Sequence, residues 1–564
     1  MKFKLLNMVL GILVVGAMAG CDGGSDDDGD EDLNVGTLNC TQVTSNIFQV
    51  TLWDENCYTV QYDIDIDAEL TINAGTTVYF EADSSMRVDS GALIVLGTPA
   101  VPAVVDNNGT TITAAIPANP VIFTGKQNTK GFWDGLEFYG SVSDKNNLQN
   151  IIIEYADIGL NIDRSTRIKV NDSIFRNNDT YGFIIDDLAT VDEFSRNISI
   201  GNNTAGKVYS TTLSALDYSS AFTGNTNDYI ELISNDITSP QTWKKLTVPV
   251  LITGYEDVDE SLTIEAGSYF ICDVDSGIRV DDGSMKAIGT QSEPIIFTAK
   301  QKTKGYWRGI EYYGSNDTNN ELSFVSIEYA NLGLKLGYWE SRIKLNDVNL
   351  TNSETFGFDF NTRSHIDEFS NIVATKNNIP GQIYANNLGS LDSASDFTGN
   401  TNDYIKMMTE DVTTSQIWHA LSVPTLIYDT SLDIETLVNI DAGSNFISNN
   451  PNINLRVTGT GTLKAIGTAH NPITFKGFQH TKDYWEGILF YYTQNANELA
   501  FVTIEDGGYS DAGAIAINQS IVNVHDCLIQ NNGNYGIEVW PTNTTLTNVN
   551  NTFTGNDGVD VYTH

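Results

Sequence analysis

The sequence predicts an all-β chain wound as a parallel β-helix solenoid, and three observations predict it. First, one long phrase is written three times. LTINAGTTVYFEADSSMRVDSGALIVLGT at 70–98 returns without a gap as LTIEAGSYFICDVDSGIRVDDGSMKAIGT at 262–290, and again as VNIDAGSNFISNNPNINLRVTGTGTLKAIGT at 438–468. Repeats in fixed order are the mark of stacked architectures. Second, inside each copy short apolar/polar alternations end in Gly, Asn or Asp, the pattern of strands closed by turns. Third, no long amphipathic helix pattern lies between them. Parallel strands ordinarily need a helical crossover; a coil that lays each turn on the one below does without it. A hairpin sandwich is the competing fold, disfavoured because two-residue Asn-Gly turns are few. At ~20–25 residues per turn and a ~4.8 Å strand spacing, the folded part makes about twenty turns and a rod on the order of 100 Å long.

In chain order, the first element is a leader over 1–20. Lys2 and Lys4 precede an apolar run from Leu5 to Val15, and Ala17-Met18-Ala19-Gly20 lead to Cys21. A basic start, a short apolar stretch and small residues at the cleavage site form a secretory signal, too short to span a membrane. The small residues before Cys21 resemble a bacterial lipobox, which implies cleavage before Cys21 and acylation of its sulfur. Several acyl chains give stable anchoring. Residues 21–38 then form a tether. DGGSDDDGDED at 22–32 holds seven acids and three glycines, a composition that cannot pack a core. Acidic runs at this place resemble surface-exposure signals of some bacterial lineages, while Asp22 directly after the cysteine resembles an inner-membrane retention signal of others; the expected location is the outer membrane, facing outward.

Three modules follow, over 39–235, 236–410 and 411–564. Within each, the long phrase is succeeded by a strand (NPVIFTGKQNTK at 119–130, EPIIFTAKQKTK at 293–304, NPITFKGFQHTK at 471–482), then by GFWDGLEFYG at 131–140, GYWRGIEYYG at 305–314 or DYWEGILFYY at 483–492. FTGNTNDYI closes the first two at 222–230 and 397–405, and FTGNDGVDV the third at 553–561. The first module carries an extra loop between Gly97 and Pro120. The run L-T-I-x-A-G … R-V-x-x-G … P-I-x-F-T … G-x-W-x-G-I … I-E-Y-A resembles right-handed parallel β-helix surface lipoproteins of bacteria, in the wider pectate-lyase-like superfamily, over 58–564. The resemblance implies the fold and its hand; a fold of this kind does not imply an activity.

Trp133, Trp307 and Trp485 recur with an aromatic before and a Gly two residues after. They read as packing residues, the competing reading being an aromatic platform for sugars. Recurring Arg87, Arg279 and Arg456, Lys130, Lys304 and Lys482, and Glu154, Glu328 and Glu505 read as charge pairs along the stack; the sharper reading is three equivalent binding sites. A single catalytic centre would not be triplicated. Asp273, Asp275, Asp281 and Asp282 cluster in CDVDSGIRVDDG, and carboxylates spaced by two on a strand share a face, so Ca²⁺ is the candidate ion. Polysaccharide lyases of the resembled fold use acidic Ca²⁺ ligands with a basic residue, which Arg279 would supply; no cofactor is required otherwise. His419, His470, His480 and His525 stand singly, without metal spacing. Cys40 and Cys57 are disulfide candidates in an exported chain, and Cys272, aligned with Phe80, reads as a core hydrophobe.

The formal charge is −42, from 72 acids against 30 bases. Such a surface repels nucleic acid and polyanionic glycans. Nucleotide-binding and thiol-catalysis motifs are absent. The expected function is lipid-anchored surface adhesion by glycan or matrix binding without catalysis. The alternatives are a Ca²⁺-dependent polysaccharide lyase or a glycoside hydrolase, and a scaffold for a protein partner.

Overall fold

The computed structural model describes residues 39–100, 104–105, 111–113, 118–337 and 339–564. The expected leader, Cys21 and the tether lie outside the described residues. Thr41–His564 form one compact unit, a parallel β-solenoid of about 20 turns. Its only helices among the described residues are the 3₁₀ segments Leu213–Ala215, Ala385–Ser390 and Tyr509–Asp511. Among the described residues, strands pair in parallel except where Thr111–Thr113 meets Val104–Val105 in the extra loop of the first repeat, at whose base Thr98 and Asn119 form an isolated antiparallel bridge.

Each turn contributes three strands. Thr77–Phe80, Ser85–Val88 and Ala92–Leu96 make one turn; Val121–Gly125, Gly135–Tyr139 and Asn147–Gln149 lie on it in register. Alternation along a strand decides what points inward. Val78 and Phe80 are buried while Thr77 and Tyr79 are partly open. Equivalent inward residues then stack: Tyr58, Val78, Phe123, Ile153 and Phe175 occupy one column through successive pairings. Aromatic columns recur, with ring centroids 4.8 Å apart for Phe270–Phe297 and 5.0 Å for Phe446–Phe475. The Asn of each F-T-G-N phrase ties its corner to the turn below. The side-chain amides of Asn225, Asn400 and Asn556 donate to the carbonyls of Ser199, Ala374 and Ile529 at 2.9, 2.9 and 3.0 Å.

The faces change roles along the coil. The second strands of the first repeat, from Ile64–Ile66 to Thr204–Tyr209, open a sheet of thirteen strands. Thr204–Tyr209 pairs with Asn227–Ile233, and that strand pairs with Val250–Ile252, which is the first strand of a turn in the second repeat. The second strands of the second repeat run on in the same way through Ile405–Met408 into the first strands of the third, making another thirteen-stranded sheet. Third strands form separate sheets of six. Equivalent residues of successive repeats therefore sit one face apart around the coil. This places the three copies of any surface feature on different sides rather than in one row.

Candidate functional site

The Trp phrase is architecture. Trp133, Trp307 and Trp485 are 0–1% exposed. Each indole N–H donates to the carbonyl of Glu154, Glu328 or Glu505 on the next turn, at 2.8–2.9 Å. The Trp133 ring stacks on Phe80 with centroids 3.9 Å apart. The glycine two residues on is required: a Cβ at Gly135, Gly309 or Gly487 would lie 1.9, 1.8 or 2.4 Å from a carbonyl oxygen of the next turn. The reading of these rings as a sugar platform is thereby corrected, because no ring face reaches solvent.

The acidic cluster of the second repeat is also corrected as a Ca²⁺ site. Asp273 and Asp275 lie in the corner before the strand Gly277–Val280, and Asp281 and Asp282 follow that strand. Four residues of strand span about 13 Å, so the two pairs stand at opposite ends. Asp273 is taken by Lys300 at 2.8 Å and by the Tyr306 hydroxyl at 3.0 Å. Burial would raise its carboxyl, but the bonds from Lys300, the Val274 N–H and Tyr306 together hold it below the usual range. Asp281 pairs with Arg279. Among the described residues no three His, Cys, Asp or Glu converge as metal ligands. The spacing argument failed because it carried a strand through what is a corner.

The recurring glutamates and two of the three recurring lysines are spent within the stack. Glu154 pairs with Arg176 at 2.6 Å, Glu328 accepts from the Thr298 hydroxyl at 2.9 Å, and Glu505 accepts from Gln530. Lys130 donates to the Gly201 carbonyl and Lys482 pairs with Asp557. His419 bonds Asp441 at 2.8 Å, and His525 bonds Asp526 at 2.8 Å and Glu498 at 3.3 Å. Cys40 and Cys57 are disulfide-bonded; Cys272 and Cys527 are free, buried thiols.

What recurs on the outside is an aromatic–arginine cluster at the corner between second and third strands. In the first repeat Arg87 bonds Asp65 through Nε at 3.0 Å. Arg87 and Arg164 both lie against the Tyr139 ring, 5.5 and 4.2 Å from its centroid. In the second, Arg279 lies 4.5 Å from the centroid of Tyr313, whose hydroxyl accepts from the Trp339 indole at 2.9 Å. Trp339 is 52% exposed. In the third, Arg456 bonds Asp433 through Nε at 2.7 Å, and Tyr491 meets Tyr492 edge-on at 4.3 Å. In the first two repeats the cation lies against the ring face and is held by the ring quadrupole. The sequence carries this cluster in the repeated Arg and in the Tyr six residues after each Trp.

A second recurring feature lies where the faces change roles. A cleft of about 370 Å³ opens between Thr190–Ser195 and the turn Leu213–Ala215, and one of about 310 Å³ opens between Ser364–Ser370 and Ala385–Ser390. Both strands carry a register shift at the equivalent place. Asp192, Glu193 and Lys244 line the first. In the second, the Ser364 hydroxyl is buried without a partner. Sequence reasoning missed both clefts, since the 3₁₀ turns carry no periodic pattern.

No family model and no curated protein matches this chain. Among solved structures it is similar to the Streptococcus pneumoniae surface protein and adhesin PfbA, at 9% identity over 90% of this chain and 91% of that one, with a TM-score of 0.12. That likeness is too loose to bear on function.

Proposed function

We propose that the chain is a lipid-anchored protein of the bacterial outer surface that binds a glycan or matrix ligand without turning it over. One observation carries the reading: Arg87 lies over Tyr139 and Arg279 over Tyr313, and the third repeat sets Arg456 and Tyr491 at the equivalent places on adjacent strands. A binder gains avidity from several equivalent contacts, whereas a catalytic centre gains little from copies. Because equivalent positions stand one face apart, a polymer or mesh that surrounds the solenoid reaches all three clusters, and a flat surface does not. The net charge of −42 favours a neutral ligand over a polyanion. Anchoring rests on Cys21, and Cys21→Ala is expected to move the protein from the membrane fraction to the soluble one.

The test is retention of the full mature chain on immobilised neutral polysaccharides and matrix proteins. Tyr139→Ala, Tyr313→Ala and Tyr491→Ala, introduced one after another, weaken retention stepwise. Retention that ignores all three substitutions sinks the reading. A polysaccharide lyase or hydrolase is the second reading, favoured by Asp192, Glu193 and Lys244 sharing one cleft; it requires new chain ends.

A further inference from the structure

The third cluster departs from the other two at one position. Where the first and second repeats have Gly140 and Gly314, at φ +84° and +86°, the third has Tyr492 at φ +56°. Left-handed backbone is unfavourable for a residue with a side chain, and nothing in the core offsets it here, since Tyr492 is 49% exposed. A Cβ added at Gly140 would meet nothing within 4 Å, so the corner has room for a ring and only the third repeat uses it.

Beside that ring lies a groove of about 490 Å³, within the roughly 300–1,000 Å³ of small-molecule sites. Six residues from three successive turns line it: Tyr492, Gln494, Gln519, Asn543, Thr544 and Thr545. None is charged, in a chain with 72 acids and 30 bases. The Gln494 amide spans the turns, donating to the carbonyl of Gln519 and to that of Asn543 at 3.4 Å. The Thr544 hydroxyl accepts from the Gln519 N–H at 2.9 Å. These bonds fix the floor. Among the described residues, none is hydrogen-bonded to the side chains of Gln519, Asn543 or Thr545. Two amides and a hydroxyl thus remain as both donors and acceptors. Next to them are the open ring of Tyr492 and, edge-on to it at 4.3 Å, that of Tyr491.

We infer that this groove is a subsite for a neutral saccharide, deepening the binding function proposed above. Apolar C–H faces of a sugar ring match the tyrosine face, and its hydroxyls match amides that both give and accept. A charged ligand would find no counter-ion in the lining.

The probes are six-residue oligomers of β-1,4-glucose, β-1,3-glucose and N-acetylglucosamine, with a galacturonate hexamer as the charged comparison, titrated calorimetrically into the full mature chain. At least one neutral hexamer binds, and the galacturonate hexamer does not. Tyr492→Gly, which installs the residue native to the other repeats, weakens that binding at least ten-fold without lowering Tm. Gln519→Ala weakens it at least three-fold. The inference is overturned if no neutral hexamer binds, or if a hexamer that binds does so equally to both variants. Binding that falls with Tyr139→Ala and Tyr313→Ala but not with Tyr492→Gly rejects the groove and leaves the cluster reading standing. Loss with Tyr492→Gly alone supports the groove and rejects the three-cluster reading.

Discussion

At the scale of single residues, the inward and outward partners of each strand have opposite consequences. Trp307 fills the coil and bonds the next turn, so Trp307→Ala is expected to cost about 3–5 kcal/mol, read as a lower denaturant midpoint. Glu256 is the strangest inward residue. It occupies the position that Ile64 and Leu432 hold in the other repeats, is 0% exposed, and accepts bonds from Ser210 and, at 2.6 Å, Ser234. Burial raises its carboxyl from 4.5 to about 7, against the pull of the two serine bonds. The folded chain therefore keeps this carboxyl protonated up to about pH 7 and ionises it above. Its stabilisation is complete below about pH 4.5 and is lost as pH rises towards 7, by about 3 kcal/mol. Glu256→Gln is expected to match the wild type near pH 4 and to exceed it at pH 8 in urea unfolding. Equal midpoints at both pH values would contradict that assignment. Cys272 lies buried beside it, its thiol held far above the usual range by burial and then by the Glu256 charge. It should resist thiol reagents until the coil opens.

At the scale of elements, the joints between repeats are continuous sheet. Leu251 pairs with Glu231 below and Ile271 above. A proline there removes a ladder bond and clashes with its neighbours. In a coil whose turns touch only the adjacent turns, Leu251→Pro is expected to split calorimetric unfolding into two transitions, where Leu251→Ala keeps one. Strands and corners were legible beforehand, because alternation and Gly, Asn and Asp placement report local geometry. L-T-I-E-A-G is the strand Ser261–Ile264 and its corner, as the alternation implies. The exchange of faces was not legible. First and second strands alike carry alternating inward apolar residues, Val78 and Phe80 on one and Met86 and Val88 on the other, so nothing in the pattern says which face will carry which. Asp273 and Asp275 were misread for a related reason: i, i+2 spacing shares a face only while the chain stays extended, and Asp275 has φ +58°.

At the scale of the whole molecule, charge and repetition set the behaviour. A chain of net charge −42 repels itself, and raising salt from about 0.01 M to about 0.15 M shortens the screening length from about 30 to about 8 Å. Tm is expected to rise over that range, and a constant Tm would show the acids to be locally neutralised. The candidate site was half legible. Three copies of Arg and Tyr were on the page, as was the change from Y-G to Y-Y in the third repeat, but the amide floor of its groove comes from residues 494, 519 and 543, far apart in sequence and joined only by stacking. The central claim is that the solenoid holds its ligand and leaves it intact. The measurement that meets it most directly incubates the full mature chain with neutral and acidic polysaccharides, with and without Ca²⁺, and follows retention and new chain ends in the same samples. Retention on a neutral polymer, indifferent to Ca²⁺ and without new reducing or unsaturated ends, is the predicted result. Steady release of such ends would contradict it and move attention to the cleft that holds Asp192, Glu193 and Lys244.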